Sequence, residues 1–489
     1  MFSHVRQCVG ERLRWRQLPW PLIASGVVSE LIYLLSLYRF PLWRYFYTPL
    51  ADLGKLTLHD IGIGNAFLLL AMALFLLYGW ALYQARKRQW RHTGEVIILF
   101  AFLFSVTLLL VYPWGAADLY DYALTGKLLV HYRVNPFVVP PASFVAEPWL
   151  AYAPWGHATV AYGPVWVMLA AVAGWVAGND LLASVLAFKL MAWLFYWLTI
   201  LLIILISRHR ASGDTPTDVL FFAWNPLVLL ETMTNGHNDV IMVAFVLLAL
   251  LWVARRRTAW AFASLAASAL VKFISAAVTP FLVINQWQRH NTRAAKMRAV
   301  MVGLLSFGLT IAAFSLPFWE GKDPLALERR SKMFTTSIPT LIMVALRGRI
   351  GMEKAMEVAQ VVAILALGAF SLYLAAGITR PLSSLIRATF EINWFYLAFS
   401  CLWFQPWYLV WLVGAGAIDP GSAQRERAWL FSLTALWNYY IFGFLWFQRG
   451  FKQLPLFEMR ALAGVLIMLP PLLLWVGQLL RHRYRTQPT

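Results

Sequence analysis

"VIILFAFLFSVTLLLVYPWGAADLYDYALTGKLLVHYRVNPF", residues 96–137, passes from an apolar run, Val96–Val111, into two aspartates three residues apart, Asp118 and Asp121. An ionised carboxylate at the edge of a bilayer is costly unless it is hydrated, paired or used. The side of the membrane on which this mouth opens therefore decides how the chain is read.

The rest of the chain fixes that setting. Of 489 residues, 61% are hydrophobic and 13% are charged, and the mean hydropathy is +0.64. A soluble chain carries about 25% charged residues, so too little polar surface is present here to coat a water-exposed globule. Apolar runs recur at Pro21–Tyr38, Ile63–Tyr83, Leu181–Ile206, Val300–Pro317 and Leu462–Leu480. About 20 such residues cross a hydrocarbon core of about 30 Å. The expected fold class is an all-α polytopic membrane protein with about 12–14 crossings and both termini cytoplasmic, one integral membrane domain spanning residues 1–489.

The net charge of +19 does not point to nucleic acid. Short clusters, among them the N-terminus, Arg86–Arg91, Arg255–Arg257, Arg289–Arg298 and Arg425–Arg427, hold 24 of the 41 Lys and Arg together with Arg208–Arg210, Arg380–Arg387 and Arg481–Arg485. Assigned to one side they form a positive-inside face, reinforced by anionic lipid. Cys8 and Cys401 are too far apart in sequence to imply a disulfide framework. No small-residue cleavage site follows the first apolar run, so a retained first helix is expected rather than a signal peptide.

With the N-terminus inside, the third crossing delivers Asp118 to the outside. Residues 113–161 then form an external loop of 49 residues, rich in aromatics and proline and folded against the membrane surface. A second external loop covers 319–338. Parity is kept if Pro164–Ala177 is re-entrant or interfacial, turning at Gly178-Asn179-Asp180. Ala259–Trp287, with Lys272 and Pro280 inside it, reads as two short or broken helices, and Ile386–Ile418 splits at Gln405-Pro406.

The external side then gathers Asp118, Asp121, "RVNPFVVPPASF", "WGHATVAYGPVW", "TNGHND" (Thr234–Asp239) and "DPLALERRSK" (Asp323–Lys332). In order, Asp-x-Tyr-x-Tyr, Gly126, "NPFVVPP", "YGPVW", "WNPLVLLETMTNGHND" and "ASALVKF" resemble the bacterial polyprenol-phosphate-mannose-dependent mannosyltransferases that build α-1,6-linked mannan, in the GT-C superfamily. The resemblance runs from about Asp118 to Lys272. It implies a GT-C type helical bundle whose first external loop, with juxtamembrane helices, is catalytic. It also implies transfer of a sugar, mannose first, from a polyprenyl-phosphate carrier to a glycan or glycolipid hydroxyl, by inversion, on the outer face of a bacterial plasma membrane. The family's acidic residue in the first large external loop matches Asp118.

The residues fit that chemistry on their own terms. An attacking hydroxyl loses a proton, which a carboxylate within reach can take. A leaving phosphate develops charge that cations stabilise. Asp118 and Asp121 are the candidate catalytic pair. Tyr120, Tyr122, Asn135, His157, Tyr162, His237, Asn238, Asp239, Lys272, Arg329 and Arg330 are the candidate substrate contacts, with Lys332 and Arg133 behind them. No cofactor is expected, and no metal, because the acids and histidines match no recurrent ligand spacing. The expected partners are lipid, the donor and the acceptor, not nucleic acid.

Each residue also has a plainer role. Asp118 and Asp121 can cap a juxtamembrane helix, His237–Asp239 can be a turn between helices, and Arg329-Arg330 can pair with Glu320, Asp323 or Glu328. Lys272, inside an apolar run, must find a partner or a cavity, and Lys189 faces the same cost. Two other functions stay open: a secondary transporter or lipid-linked-sugar flippase, suggested by the broken segments, and the same fold using arabinose or glucose.

Overall fold

The computed structural model describes residues 18–48, 52–88, 90–210, 214–320 and 333–486, with side chains through Arg481. Arg329, Arg330 and Lys332 lie outside the described residues, as does Cys8. The α-helices of nine or more residues begin with α1 (Trp20–Arg39), α2 (Ile61–Lys87), α3 (Thr93–Leu109), α4 (Asp118–Val130), α5 (Pro164–Ala177) and α6 (Leu181–Arg208). The middle of the chain forms α7 (Thr215–Ala223), α8 (Asp239–Ala254), α9 (Thr258–Ala269), α10 (Thr279–Arg289) and α11 (Arg293–Ser315). The last six are α12 (Ile338–Ile350), α13 (Met352–Ala376), α14 (Leu382–Phe395), α15 (Leu409–Ile418), α16 (Ser422–Gly443) and α17 (Leu456–Thr486). No strand forms among the described residues, only a lone antiparallel bridge between Pro41 and Val111.

Local chemistry starts these helices where they start. Asp60 accepts from the Ile63 amide at 3.0 Å at the head of α2, and Asp180 accepts from Ala183 at 2.7 Å at the head of α6. Ser337 does the same for α12. Each side chain satisfies one of the amides that a helix N-terminus leaves open. Pro164 opens α5, where a missing N–H costs nothing.

The chain is an all-α polytopic membrane protein. Among the described residues seven helices are long and apolar enough to cross a membrane, and the bent pair Pro226–Thr234 and Asp239–Ala254, taken as one span, makes an eighth. That is fewer than the 12–14 read from the apolar runs, because several runs fold as short pieces: α5 and Pro406–Ile418 are apolar but too short to cross, and α3, at 17 residues, stands at the lower limit of crossing length. The expected breaks occur where polar or proline residues interrupt a run. α9 ends at Ala269, a 3-10 turn covers Phe273–Val278, and α10 follows. The second break separates the π-turn Tyr396–Ser400 from the 3-10 turn Pro406–Tyr408. α5 turns into α6 through Gly178 at φ +64°, a conformation that glycine adopts at little cost.

Burial is uneven. Only 11% of the most apolar stretch is buried in α11 and in α13, against 44% in α6. Side chains such as Leu305 and Ile364 point outward at 64% and 69% exposure, a surface that lipid solvates and water does not. α15, by contrast, is buried at every residue and packs against α7, α8, α14 and α16. It is the axis of the molecule.

The 113–161 segment is not a loop lying on the surface. α4 is buried from Leu119 to Leu128 except at Asp121, and it crosses α5 so closely that a Cβ on Gly126 would stand 2.5 Å from the Ala170 carbonyl oxygen. A buried ion pair, Lys127–Glu147 at 2.8 Å, clamps the rest of the segment, with the ammonium 3.9 Å above the Trp149 ring. Burial works against ionisation of Glu147, but hydrogen bonds from Lys127, Tyr132 and the Trp149 amide outweigh it and hold the carboxyl below its ordinary value.

Candidate functional site

α4 presents its first turn to a cavity of about 930 Å³. Its N-terminus has no side-chain cap, and the cap position is Ala117, so Asp118 is not spent on helix amides. Its carboxylate lines the cavity instead, with a side chain 16% exposed. The Tyr162 hydroxyl lies 3.4 Å from Asp118 Oδ2 and 3.1 Å from the Tyr122 hydroxyl. Asp121, one turn on, also lines the cavity; its Oδ1 accepts from the Trp155 amide at 3.1 Å.

The two acids are tuned by the same physics. Burial raises the Asp118 carboxyl to about 6; Lys272 opposes this, and Asp239 adds to it. Burial, then the charge of Asp118, pushes Asp121 well above the carboxylate range. Burial thus disfavours the charged form of both carboxyls, and the charge of Asp118 disfavours that of Asp121 further.

Lys272 borders the cavity where α9 breaks. Its ammonium sits 2.6 Å from Asp239 Oδ2 and over the rings of Tyr162, Tyr408 and Trp411 at 5.3–5.9 Å. Trp411 Nε1 donates to the other Asp239 oxygen at 2.5 Å. The lysine in the apolar run therefore has both a partner and a cavity.

Behind this wall lies the turn between Pro226–Thr234 and α8. Gly236 takes φ +69° and the two helices meet at 117°. Asn235 Oδ1 accepts from the Gly115 amide at 2.9 Å, tying the turn to the approach of α4. His237 stacks on Trp407 at 3.9 Å. His237, Asn238 and Asp239 are at most 1% exposed and do not line the cavity. Their expected place as substrate contacts is corrected: the bend carries them into the protein, behind the lining side chains.

Three other expected residues, Tyr120, Asn135 and His157, also stand outside the lining. Tyr120 turns away from the cavity, its hydroxyl donating to the Phe46 carbonyl at 3.0 Å. Asn135 ties the segment to the end of α11, donating to the Phe318 carbonyl at 3.0 Å and to Glu320 at 2.8 Å. His157 is exposed and outside the lining. Lys189 is fully buried in α6 and donates to the Val111 carbonyl, a structural anchor. Among the described residues no group of three His, Cys, Asp or Glu side chains is placed to hold a metal ion.

The far wall has no counterpart among the residues expected from sequence. Trp403, Gln405, Trp407 and Tyr408 come from the break at Gln405-Pro406, and Ala363, Ile364 and Leu367 come from the lipid-facing α13. Polar floor and apolar wall thus belong to one continuous space. The density of aromatics in "FQPWYLVW", residues 404–411, beside the Gln405-Pro406 break, is the signal that points to it. Glu231 is a further one, a carboxyl inside an apolar run, 0% exposed and bonded to Asn235 and Tyr439 at 2.8 Å.

Comparison with known proteins falls on this half of the site. A family model described as α-(1→6)-mannopyranosyltransferase, N-terminal domain, matches residues 48–288, which carry Asp118, Asp121, Tyr162 and Lys272. That match covers just under half of the 489-residue chain. The chain is 26% identical over 216 residues to α-(1→6)-mannopyranosyltransferase A of Mycobacterium tuberculosis, 43% of this chain and 40% of that one. It is 25% identical over 183 residues to the protein of the same name from Corynebacterium glutamicum, 36% of each. The chain thus matches two fifths or less of the length of these curated relatives, and the α13 and Trp407 walls lie beyond the family match.

Proposed function

We propose that this protein is a membrane glycosyltransferase of the GT-C type that moves a hexose, mannose first, from a polyprenyl-phosphate carrier to a hydroxyl of a glycan or glycolipid. The observation that carries the reading is the continuity of the cavity. Asp118 and Asp121 stand at one side, and Ala363, Ile364 and Leu367 of α13 stand at the other. A donor with a phosphate-linked sugar and a long prenyl chain needs both surfaces within one molecule's length.

The chemistry follows from the acids. The acceptor oxygen attacks the anomeric carbon as its proton passes to the Asp118 carboxylate, and the bond from that carbon to the phosphate oxygen breaks, its electron pair leaving with the polyprenyl phosphate. Asp121, whose charged form is disfavoured by burial and by Asp118, lines the cavity one turn on as a hydrogen-bonding partner for a substrate oxygen. Direct displacement inverts the anomeric centre. Lys272 is already held by Asp239, so it contributes field more than a free hand for phosphate. Lys55 at the rim of the cavity supplies a second positive charge. The site faces outward from a bacterial plasma membrane in this reading, with both termini in the cytoplasm.

The test is transfer by purified protein in lipid nanodiscs, with labelled polyprenyl-phosphate mannose and an oligomannoside acceptor. Wild type should transfer label with a rate that falls as pH drops through about 6. Asp118→Asn should retain the fold and lose about 10²–10⁴ in rate, the usual worth of a general base. Full transfer by that variant would remove Asp118 from the chemistry. Donors carrying arabinose or glucose, run in parallel, decide the sugar.

A further inference from the structure

His237 is more than a turn residue. Its ring is 1% exposed and stacked on Trp407, which a structural histidine could match. Its two nitrogens are the unusual part: neither has a hydrogen-bond partner. Nδ1 lies 4.0 Å from Asp118 Oδ2 and Nε2 lies 3.6 Å from Glu231 Oε2. The ring is strung between two acids, just beyond contact with each. Buried polar nitrogens are ordinarily bonded, and catalytic hydrogen bonds are often long until substrate is bound.

Both ends of the string are fixed. Glu231 accepts from Tyr439 and Asn235 at 2.8 Å, and its backbone carbonyl accepts from the His237 amide at 3.0 Å. Asn235 in turn holds the Gly115 amide, three residues before Asp118. A shift of about 1 Å would bring Nδ1 to hydrogen-bond length from Asp118.

The geometry points to His237 as a positioning residue for the base: its Nδ1–H donates to Asp118 Oδ2, and Glu231 sets the tautomer from the other side. The assignment rests on Asp118 being the base, as proposed above. It dictates the protons. If Nδ1 carries hydrogen and the ring is neutral, Nε2 has the lone pair, so Glu231 must meet it with a donor, the O–H of a neutral carboxylic acid. Oδ2 of Asp118 is then held, and Oδ1 is left to take the acceptor's proton. No atom is transferred to His237. The groups around Asp118 are Asp121 on its own helix, Tyr162, Asp239 and Lys272, with Glu231 beyond the ring. Among these, His237 is the one that can donate or withhold a proton by changing tautomer.

The test uses the full-length protein in nanodiscs. His237→Phe keeps a flat ring against Trp407 and removes the donor. It should lower kcat about 10- to 100-fold with KM nearly unchanged, as expected for loss of a hydrogen bond to a charged group. It should also move the acid limb of the pH–rate profile up by about one pH unit, because ionised Asp118 loses a stabilising partner. Glu231→Gln can still donate to Nε2, although its NH2 then faces the Asn235 amide that Oε2 accepts from in the wild type, so it should keep clearly more activity than Glu231→Leu, which should behave like His237→Phe. A wild-type acid limb in a folded His237→Phe protein would overturn the assignment, as would equal activity of the Gln and Leu variants. Should His237→Phe fail to fold, the Glu231 pair decides alone. Normal transfer by Asp118→Asn would instead strike at the proposed function, so the two failures are distinct.

Discussion

At one end of α15 the Trp411 indole donates to Asp239, which holds Lys272 beside the cavity. At the other end the carbonyls of Gly416 and Ala417 accept from Arg425, and that of Ile418 accepts from Arg210. About 15 Å separates the two ends of the ten-residue helix. At the arginine end each acid faces its own cation: Asp218 pairs with Arg210 and Arg425, Glu391 with Arg427, and Asp419 with Arg387. Arg425 and Arg427, which the sequence alone places among the loop charges of a basic face, are in fact buried. Arg425 satisfies carbonyls that a helix C-terminus leaves open. At the cavity end, among the described residues, one lysine serves Asp239 while Asp118 and Asp121 are held by neutral donors. One network is closed. The other holds fewer cations among the described residues, and there burial lifts the Asp118 carboxyl toward neutrality against the pull of Lys272.

The comparison is broken most sharply by making the same substitution at both ends. Asp218→Asn removes the charge from a fully buried carboxylate and leaves Arg425 and Arg210 uncompensated. A loss of about 3–5 kcal/mol is expected, read as a large fall in melting temperature, with turnover per folded molecule unchanged. Loss of turnover at an unchanged melting temperature would mean that the arginine end is not merely structural.

Asp118→Asn should move stability the other way. The folded carboxyl titrates at about 6 against an ordinary 3.8. Between those values the folded state holds more proton than the unfolded one, so stability rises as pH falls through the window and is lost as pH climbs back through it. Above about pH 6 the ionised group costs the fold about 3 kcal/mol, since each tenfold change in an acid constant corresponds to about 1.4 kcal/mol. The variant should therefore melt higher than wild type at pH 8, with the advantage gone by about pH 4, while its transfer activity is lost. A variant less stable than wild type at pH 8 would show that Asp118 is a cap or a structural partner after all.

How much of this was legible depended on the kind of signal. Apolar runs disclosed α1, α2, α6, α11 and α17, because a lipid-facing helix needs only length and hydropathy. Breaks at Lys272 and Gln405-Pro406 were legible because a charge or a proline has a local cost. Asp118, Asp121, Tyr162 and Lys272, each singled out by its local chemistry, line one cavity. What stayed hidden was long-range: that α13 would close the cavity with Ala363, Ile364 and Leu367, that His237 would turn inward, and that Arg425 would reach Asp218 across 207 residues. Such contacts are set by packing, and no local pattern encodes them.

Gly126 offers a smaller perturbation, acting through geometry rather than charge. A methyl group there meets the Ala170 carbonyl oxygen at 2.5 Å, and α5 backbone at Gly174 is also within contact. Gly126→Ala must push α4 from α5, at about 1–3 kcal/mol for overpacking, and Asp118 moves with its helix. A displacement near 1 Å can lower kcat by about 10²-fold. Burial sets the Asp118 shift first, and a displacement this small leaves the carboxyl buried, so the acid limb near pH 6 should stay where it is. A shifted limb would mean that the helix movement changes the charge environment as well as the position.

Lys55 tests the positive charge at the cavity end with the least disturbance. It lines the rim of the cavity and lies 3.9 Å from Asp52, and both side chains are about half exposed, at 56% and 49%. Exposed pairs of this kind contribute little, so Lys55→Met should change stability by less than about 0.5 kcal/mol. Its charge still acts on what approaches. An anionic lipid-phosphate donor is drawn toward a positive rim, and salt screens that attraction over about 10 Å at 0.1 M. Lys55→Met should raise KM for the donor by roughly two- to threefold at low ionic strength, with the difference vanishing near 1 M salt. Asp52→Asn, which keeps a side chain able to cap the following helical turn, should lower KM under the same conditions. Opposite signs from adjacent, stability-neutral substitutions would locate the Lys55 charge in the substrate's path, whereas identical responses would place the donor's phosphate elsewhere along the cavity.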